Sequence, residues 1–173
     1  MHENRILIHK LKNFENINSN FLIITLMLFG SILLAISAKV QVPFWPVPMT
    51  MQTFVIFLIG LTCSVRLSFA TVAFYLFQGA IGLPVFAAGG GVAYLVGPTA
   101  GYLYGMLFAS IVISYLANLG FSKTYFKATV SLLIGSAIIF SFGIILSLSL
   151  FFAFVSDLFF MPSLLYWGIN KKS

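Results

Sequence analysis

Residues 128–170 read ATVSLLIGSAIIFSFGIILSLSLFFAFVSDLFFMPSLLYWGIN, 43 residues with one formal charge, Asp157. As a single helix rising about 1.5 Å per residue, the run would be about 65 Å long, twice the roughly 30 Å hydrocarbon thickness of a bilayer. The sequence therefore predicts a membrane segment that folds back. It gives spans Ala128–Ser147 and Leu150–Trp167 joined by a turn at Ser147 and Ser149 or, because no Pro or Gly marks that turn, a broken or re-entrant segment.

The rest of the chain agrees with this reading. It has 173 residues, 61% of them hydrophobic and 7% charged, with a mean hydropathy of +1.09. A soluble domain carries roughly 25% charged residues because water must wet its surface, so most of this exterior faces lipid. Further spans are expected at Phe21–Ala38, Val47–Val65, Leu67–Ile81 and Pro98–Ala117. No small-residue cleavage site follows the first of them, so it reads as a retained span. The expected fold is an all-α integral membrane protein, a six-transmembrane-helix bundle. It would comprise an N-terminal tail over residues 1–20, one membrane domain over 21–170 and a short tail over 171–173.

Charge placement orients this bundle. With six spans, Arg5, Lys10, Lys12, Arg66, Lys123, Lys127, Lys171 and Lys172 share one face and only Lys39 lies on the other. Short loops rich in Lys and Arg stay in the cytoplasm, so both termini are expected to be cytoplasmic in a bacterial plasma membrane protein. The net charge of +6 then reflects topology. No basic patch interleaves with aromatics, which argues against nucleic-acid binding.

Two segments are thereby expected to face outward. Lys39–Gln52 (KVQVPFWPVPMTMQ) has prolines at 43, 46 and 48, which cannot donate backbone hydrogen bonds and forbid helix. The segment is either a stiff connector with Phe44 and Trp45 at the interface, or a pocket rim offering Thr50 and Gln52 as hydrogen-bonding groups. Gly82–Pro98 (GLPVFAAGGGVAYLVGP) carries no charge. A solvated connector of that length would be polar, so this one is expected to pack back over the bundle as a lid or pocket wall. Its Gly89–Gly91 run lacks the lysine of a phosphate-binding loop. Small residues recur at Gly97, Gly101, Gly105 and Ala109, the spacing that lets helices approach closely in lipid, and a shorter small face runs through Ser31, Ala35 and Ala38.

Asp157 is the one acid within a span. A carboxylate in hydrocarbon is costly, so it marks a functional site or a structural hydrogen bond, and its distance from Lys171 sets it in the outer half of the membrane. Catalysis finds no support. His2 and His9 sit in the N-terminal tail, no second intramembrane acid or nucleophile–base pair is present, no metal-binding motif occurs, and the lone Cys63 lies in an apolar run. The expectation is a binding bundle with an outward pocket, no catalytic residues, no metal and no cofactor of its own.

Two stretches resemble a known family. VPMTMQT (47–53) is similar to the VP-x-T-x-Q segment of the BioY family, and YLFQGAIGLPVFAAGGGVAYLVGPTAGYLYG (75–105) resembles that family's GLPVF, glycine-rich and GPT-x-GY block almost throughout. The family comprises the biotin-binding S components of energy-coupling factor (ECF) transporters. The resemblance implies a vitamin bound from outside, then delivered through a transmembrane coupling protein driven by two ATPase subunits, so that ATP is used only by the partners. It implies that Ser31, Ala35 and Ala38 contact the coupling protein. It also implies a biotin pocket in which Asp157 and Gln52 make polar contacts, Phe86, Tyr94 and Trp45 pack on the apolar parts, and Gly89 lies in the wall. The C-terminal third departs from the pattern: Asp157 and Leu158 stand in place, but Phe160 occupies the position of a lysine. The alternatives are an S component for another small vitamin, or a degenerate membrane protein that binds none.

Overall fold

The computed structural model describes residues 19–42 and 49–170, with the backbone alone at Ser19, Asn20, Met49, Phe154 and residues 156–170. The terminal tails and Trp45 lie outside the described residues. Five α-helices are present among those described: α1 (Ser19–Lys39), α2 (Gln52–Thr62), α3 (Val65–Ala80), α4 (Ala100–Asn118) and α5 (Tyr125–Asn170). A two-stranded antiparallel ribbon, β1 (Gln41–Val42) with β2 (Met49–Thr50), joins α1 to α2. Short 3₁₀ turns at Val92–Leu95 and Phe121–Lys123 precede α4 and α5.

Among the described residues, three helical stretches are long and apolar enough to cross a membrane: Phe21–Lys39, Ala100–Asn118 and Tyr125–Ala153. Their outer faces carry Phe29, Ile36, Phe108, Leu133 and Ile145, all exposed. Such a surface is stable only against lipid, where the apolar side chains remain out of water. The span expected at Val47–Val65 is an 11-residue helix instead. Its first residues are spent in the ribbon, where β2 gives partners to the backbone of β1 (Gln41 opposite Thr50, Val42 opposite Met49).

α4 is the central helix, packed on α2, α3 and α5, while α1 lies chiefly on α3. Leu34, Ile56, Val72, Ile113 and Ile139 form the dry centre. Burial of apolar area gives little drive between helices in lipid, so close backbone approach and hydroxyl bonds take its place. At Gly105 a Cβ would stand 2.8 Å from Ile139 Cα and 3.0 Å from its carbonyl oxygen, so α4 meets α5 backbone to backbone. Ser68 Oγ and Ser114 Oγ, both buried, lie 2.6 Å apart and join α3 to α4.

The expected turn at 147–149 is not formed. α5 continues as one helix of 46 residues, about 69 Å at roughly 1.5 Å per residue. No Gly or Pro interrupts the chain between Gly143 and Pro162, and both serine hydroxyls are satisfied without a turn. Ser149 donates to the Ile145 carbonyl one turn back, at 2.9 Å, and Ser147 donates to the Pro98 carbonyl at 3.0 Å. Serine favours turns only when its hydroxyl competes for local backbone groups, and here it back-bonds within the helix or bonds across to the preceding loop.

Candidate functional site

The ribbon and the loop between α3 and α4 meet at one end of the bundle. The dipeptide Val85–Phe86 is where they join. Tyr75, buried in the last turns of α3, donates from its hydroxyl to the Val85 carbonyl at 3.1 Å. That hydroxyl has one proton, already given, so it accepts from Gln52 Nε2 at 2.6 Å. Thr50 Oγ1 in turn donates to Gln52 Oε1 at 3.0 Å. This chain of bonds fixes the orientation of the Gln52 amide and links β2, α2, α3 and the loop. Burial makes each bond costly to lose, because an orphaned partner keeps its full desolvation penalty.

Above the chain sits an aromatic stack. Phe86 is wholly buried, meets Tyr75 edge-on with ring centroids 5.5 Å apart, and stacks on Tyr94 at 5.0 Å. The Phe86 ring occupies the space that a side chain at residue 79 would need, which is why Gly79 is a glycine. The loop is tied down by Gly91 N–H to the Gly79 carbonyl, 2.7 Å, and by a bridge in which Phe86 and Gly89 exchange backbone hydrogen bonds. Gly91 has φ +106°, a conformation that side-chain-bearing residues avoid.

Between these elements is a cavity of about 140 Å³. Its wall includes Thr50, Gln52, Phe86, Tyr94, Tyr102 and Met106, with Ile139 and Phe140 of α5 on the far side. An amide and several hydroxyls converge on an otherwise aromatic and aliphatic space, which is the make-up of a small-molecule site. Replacing Tyr75 by Phe strands Gln52 Nε2 and the Val85 carbonyl, and is expected to destabilise the fold by about 2 kcal/mol, measurable as a lowered midpoint in a denaturation series.

Of the site residues read from the sequence, Gln52, Phe86 and Tyr94 line this cavity together. Gly89 lies beside it, half-buried, and acts through its bridge to Phe86. Asp157 is a residue of α5 of which the backbone alone is described, and Trp45 lies outside the described residues. Ser31 and Ala38 are wholly buried and Ala35 half-buried, so this small face packs largely inside the chain's own bundle. Sequence reasoning missed Tyr75, Thr53, Thr99 and Tyr102. Tyr75 and Tyr102 stand within the quoted 75–105 block, but nothing in their spacing shows which faces inward.

The helices with an apolar exterior, the ribbon and the loop-capped cavity define a polytopic membrane protein of the S-component fold. A crystal structure of the S-component for biotin from an ECF-type ABC transporter superposes with a TM-score of 0.69 over 86% of this chain and 85% of that one, at 25% identity. A family model described as the BioY family matches residues 10–167. The chain belongs to the BioY family. It is 39% identical over 113 residues to the biotin transporter BioY of Thermotoga maritima, a match covering 65% of this chain and 66% of that protein. It is 31% identical over 150 residues to the biotin transporter BioY of Rhizobium etli, covering 78% and 80%. The chain thus spans just under two thirds of the Thermotoga maritima protein and 57% of the probable biotin transporter BioY of Lysinibacillus sphaericus. The family consists of transporter components, not enzymes.

Proposed function

We propose that this chain is the substrate-binding S component for biotin uptake. It resides in the bacterial plasma membrane, takes biotin from the outside and delivers it through a coupling protein and ATPase subunits of an ECF module. The cavity carries this reading: the Gln52 amide can serve the ureido group while Phe86, Tyr94 and Met106 cover the apolar ring and chain. By the family resemblance, Asp157 is expected to supply a carboxylate for the ureido N–H groups and Trp45 an apolar contact. The one-sided placement of Lys and Arg supports cytoplasmic termini in this reading, and a sixth crossing would require the long α5 to turn back within the membrane. The coupling protein meets α1 on the side of Ala35 and the exposed Ile32 and Ile36, with Ser31 and Ala38 setting how closely α1 seats behind them.

Equilibrium binding of labelled biotin to the purified chain tests the proposal. Saturable binding is expected, weakened at least tenfold by Asp157→Asn. Absence of saturation below about 100 μM, only about −5.5 kcal/mol, overturns it, since scavenging a vitamin demands more. One residue favours a second reading. Phe160 stands where the family pattern has a lysine, and a carboxylated ligand wants a cation or several N–H donors, so another small vitamin is the alternative. A thermal-shift screen separates the two, because a ligand that binds only the folded state raises the melting temperature. A chain that responds to no vitamin is a degenerate member.

A further inference from the structure

Lys39 is the last residue of α1 and the one cation at the cavity end of the bundle among the described residues. It is not part of the cavity wall. A place on the outer face would let Lys39 stand in for the lysine missing at Phe160, but its Nζ donates instead to the Phe86 carbonyl at 2.7 Å. The neighbouring carbonyl in the chain, that of Val85, is held by Tyr75. Two adjacent carbonyls of the loop are therefore held by different elements, one through the Gln52–Tyr75 chain that borders the cavity and one by the end of α1.

The Phe86 ring forms cavity wall, so whatever sets the Phe86 backbone sets that wall. The segments flanking it have the backbone freedom that opening would need. Gly82, Gly89 and Gly91 take positive φ, Leu83, Pro84, Ala88 and Gly90 are exposed, and glycines at such positions absorb the dihedral changes of a loop that opens. A hydrogen bond from an ammonium is roughly twice as strong as a neutral one.

We propose that Lys39 is a positioning residue for the cavity, a latch that holds Val85–Phe86 and the loop behind it closed and ties that closure to the end of α1. The consequence for ligand residence rests on the biotin reading above, whereas the latch itself does not.

The test compares the full chain in lipid nanodiscs with Lys39→Met, which keeps the stem and removes the donor, and with Lys39→Arg, which restores it. Hydrogen exchange is read at the amides of Phe86, Gly89 and Gly91, with the middle of α4 as a reference for global opening. Lys39→Met is expected to speed exchange at the three loop amides about tenfold with α4 unchanged, and Lys39→Arg to return it to within about threefold of the parent. The dissociation rate of labelled biotin should rise about tenfold in Lys39→Met with little change in association, since release follows loop opening. Loop exchange that matches the parent, or that rises together with α4, overturns the latch. Should Lys39→Met fail to yield folded protein, Lys39→Gln gives the same comparison with a weaker donor. Should the parent chain bind no biotin, the functional proposal fails while the exchange measurement still decides the latch.

Discussion

Gly79→Ala is expected to weaken biotin binding at least 100-fold, about 2.8 kcal/mol at roughly 1.4 kcal/mol per decade. The added Cβ overlaps the outer edge of the Phe86 ring, which is wholly buried and packed against Tyr75 and Tyr94. Tyr75 cannot yield, because it is pinned at its hydroxyl by Gln52 and Val85, so the displacement falls on the cavity side, where Tyr94 stands. The ring must leave its place, and the cavity wall goes with it. Titration with labelled biotin measures the loss, and thermal unfolding of the same samples shows how much of it is global. A double substitution, Gly79→Ala with Phe86→Leu, removes the flat ring that collides with the new methyl. It is expected to recover part of the affinity, so the two changes will be non-additive, as contacting residues are. Unaltered affinity in Gly79→Ala would remove Phe86 from the site.

Gly105→Leu is expected to abolish a stable bundle, at a cost of about 3 kcal/mol or more, because overpacking here meets backbone rather than a movable side chain. Ile139 Cα and its carbonyl oxygen lie 2.8 and 3.0 Å from the position of a Cβ, so α5 must be pushed off α4. Ile139 and Phe140 would then leave the cavity wall. The measurement is the yield of monodisperse protein in detergent and its unfolding midpoint. Gly97→Ala is the control. Its Cβ would come no closer than 3.4 Å, to the Ala93 carbonyl, and the residue precedes the helix, so the midpoint should stay within about 0.5 kcal/mol of the parent. Equal losses at both positions would mean that the helix contact does not depend on this close approach.

That pair of glycines shows where sequence reading stops. Gly97, Gly101 and Gly105 look equivalent as a spacing, and close packing was the expectation for all three. The structure gives it to Gly101 and Gly105, which face α5, and leaves Gly97 in the turn before α4. The cavity divides in the same way. Gln52 was legible as a candidate because a polar group stood at the start of an apolar span, and Phe86 and Tyr94 only through the resemblance of the block that holds them. Tyr75 was not, because a tyrosine at that point of an apolar helix has the same hydropathy whether its hydroxyl meets water or Gln52.

The sequence by itself determined that this is a helical membrane protein and to which family it is related. Those properties follow from sums over local residues, since the cost of placing a side chain in lipid is nearly independent of what it later touches, and from motifs read in register along the chain. Only the tertiary structure decided that Lys39 reaches the Phe86 carbonyl 47 residues away, that Ser31 and Ala38 are covered by the chain's own helices, and that α5 runs through 147–149 without turning. Each depends on which faces of distant segments meet, and on whether a hydroxyl finds its partner within its own helix or across a loop. Those choices are made by packing and hydrogen-bond geometry, to which composition and spacing are blind.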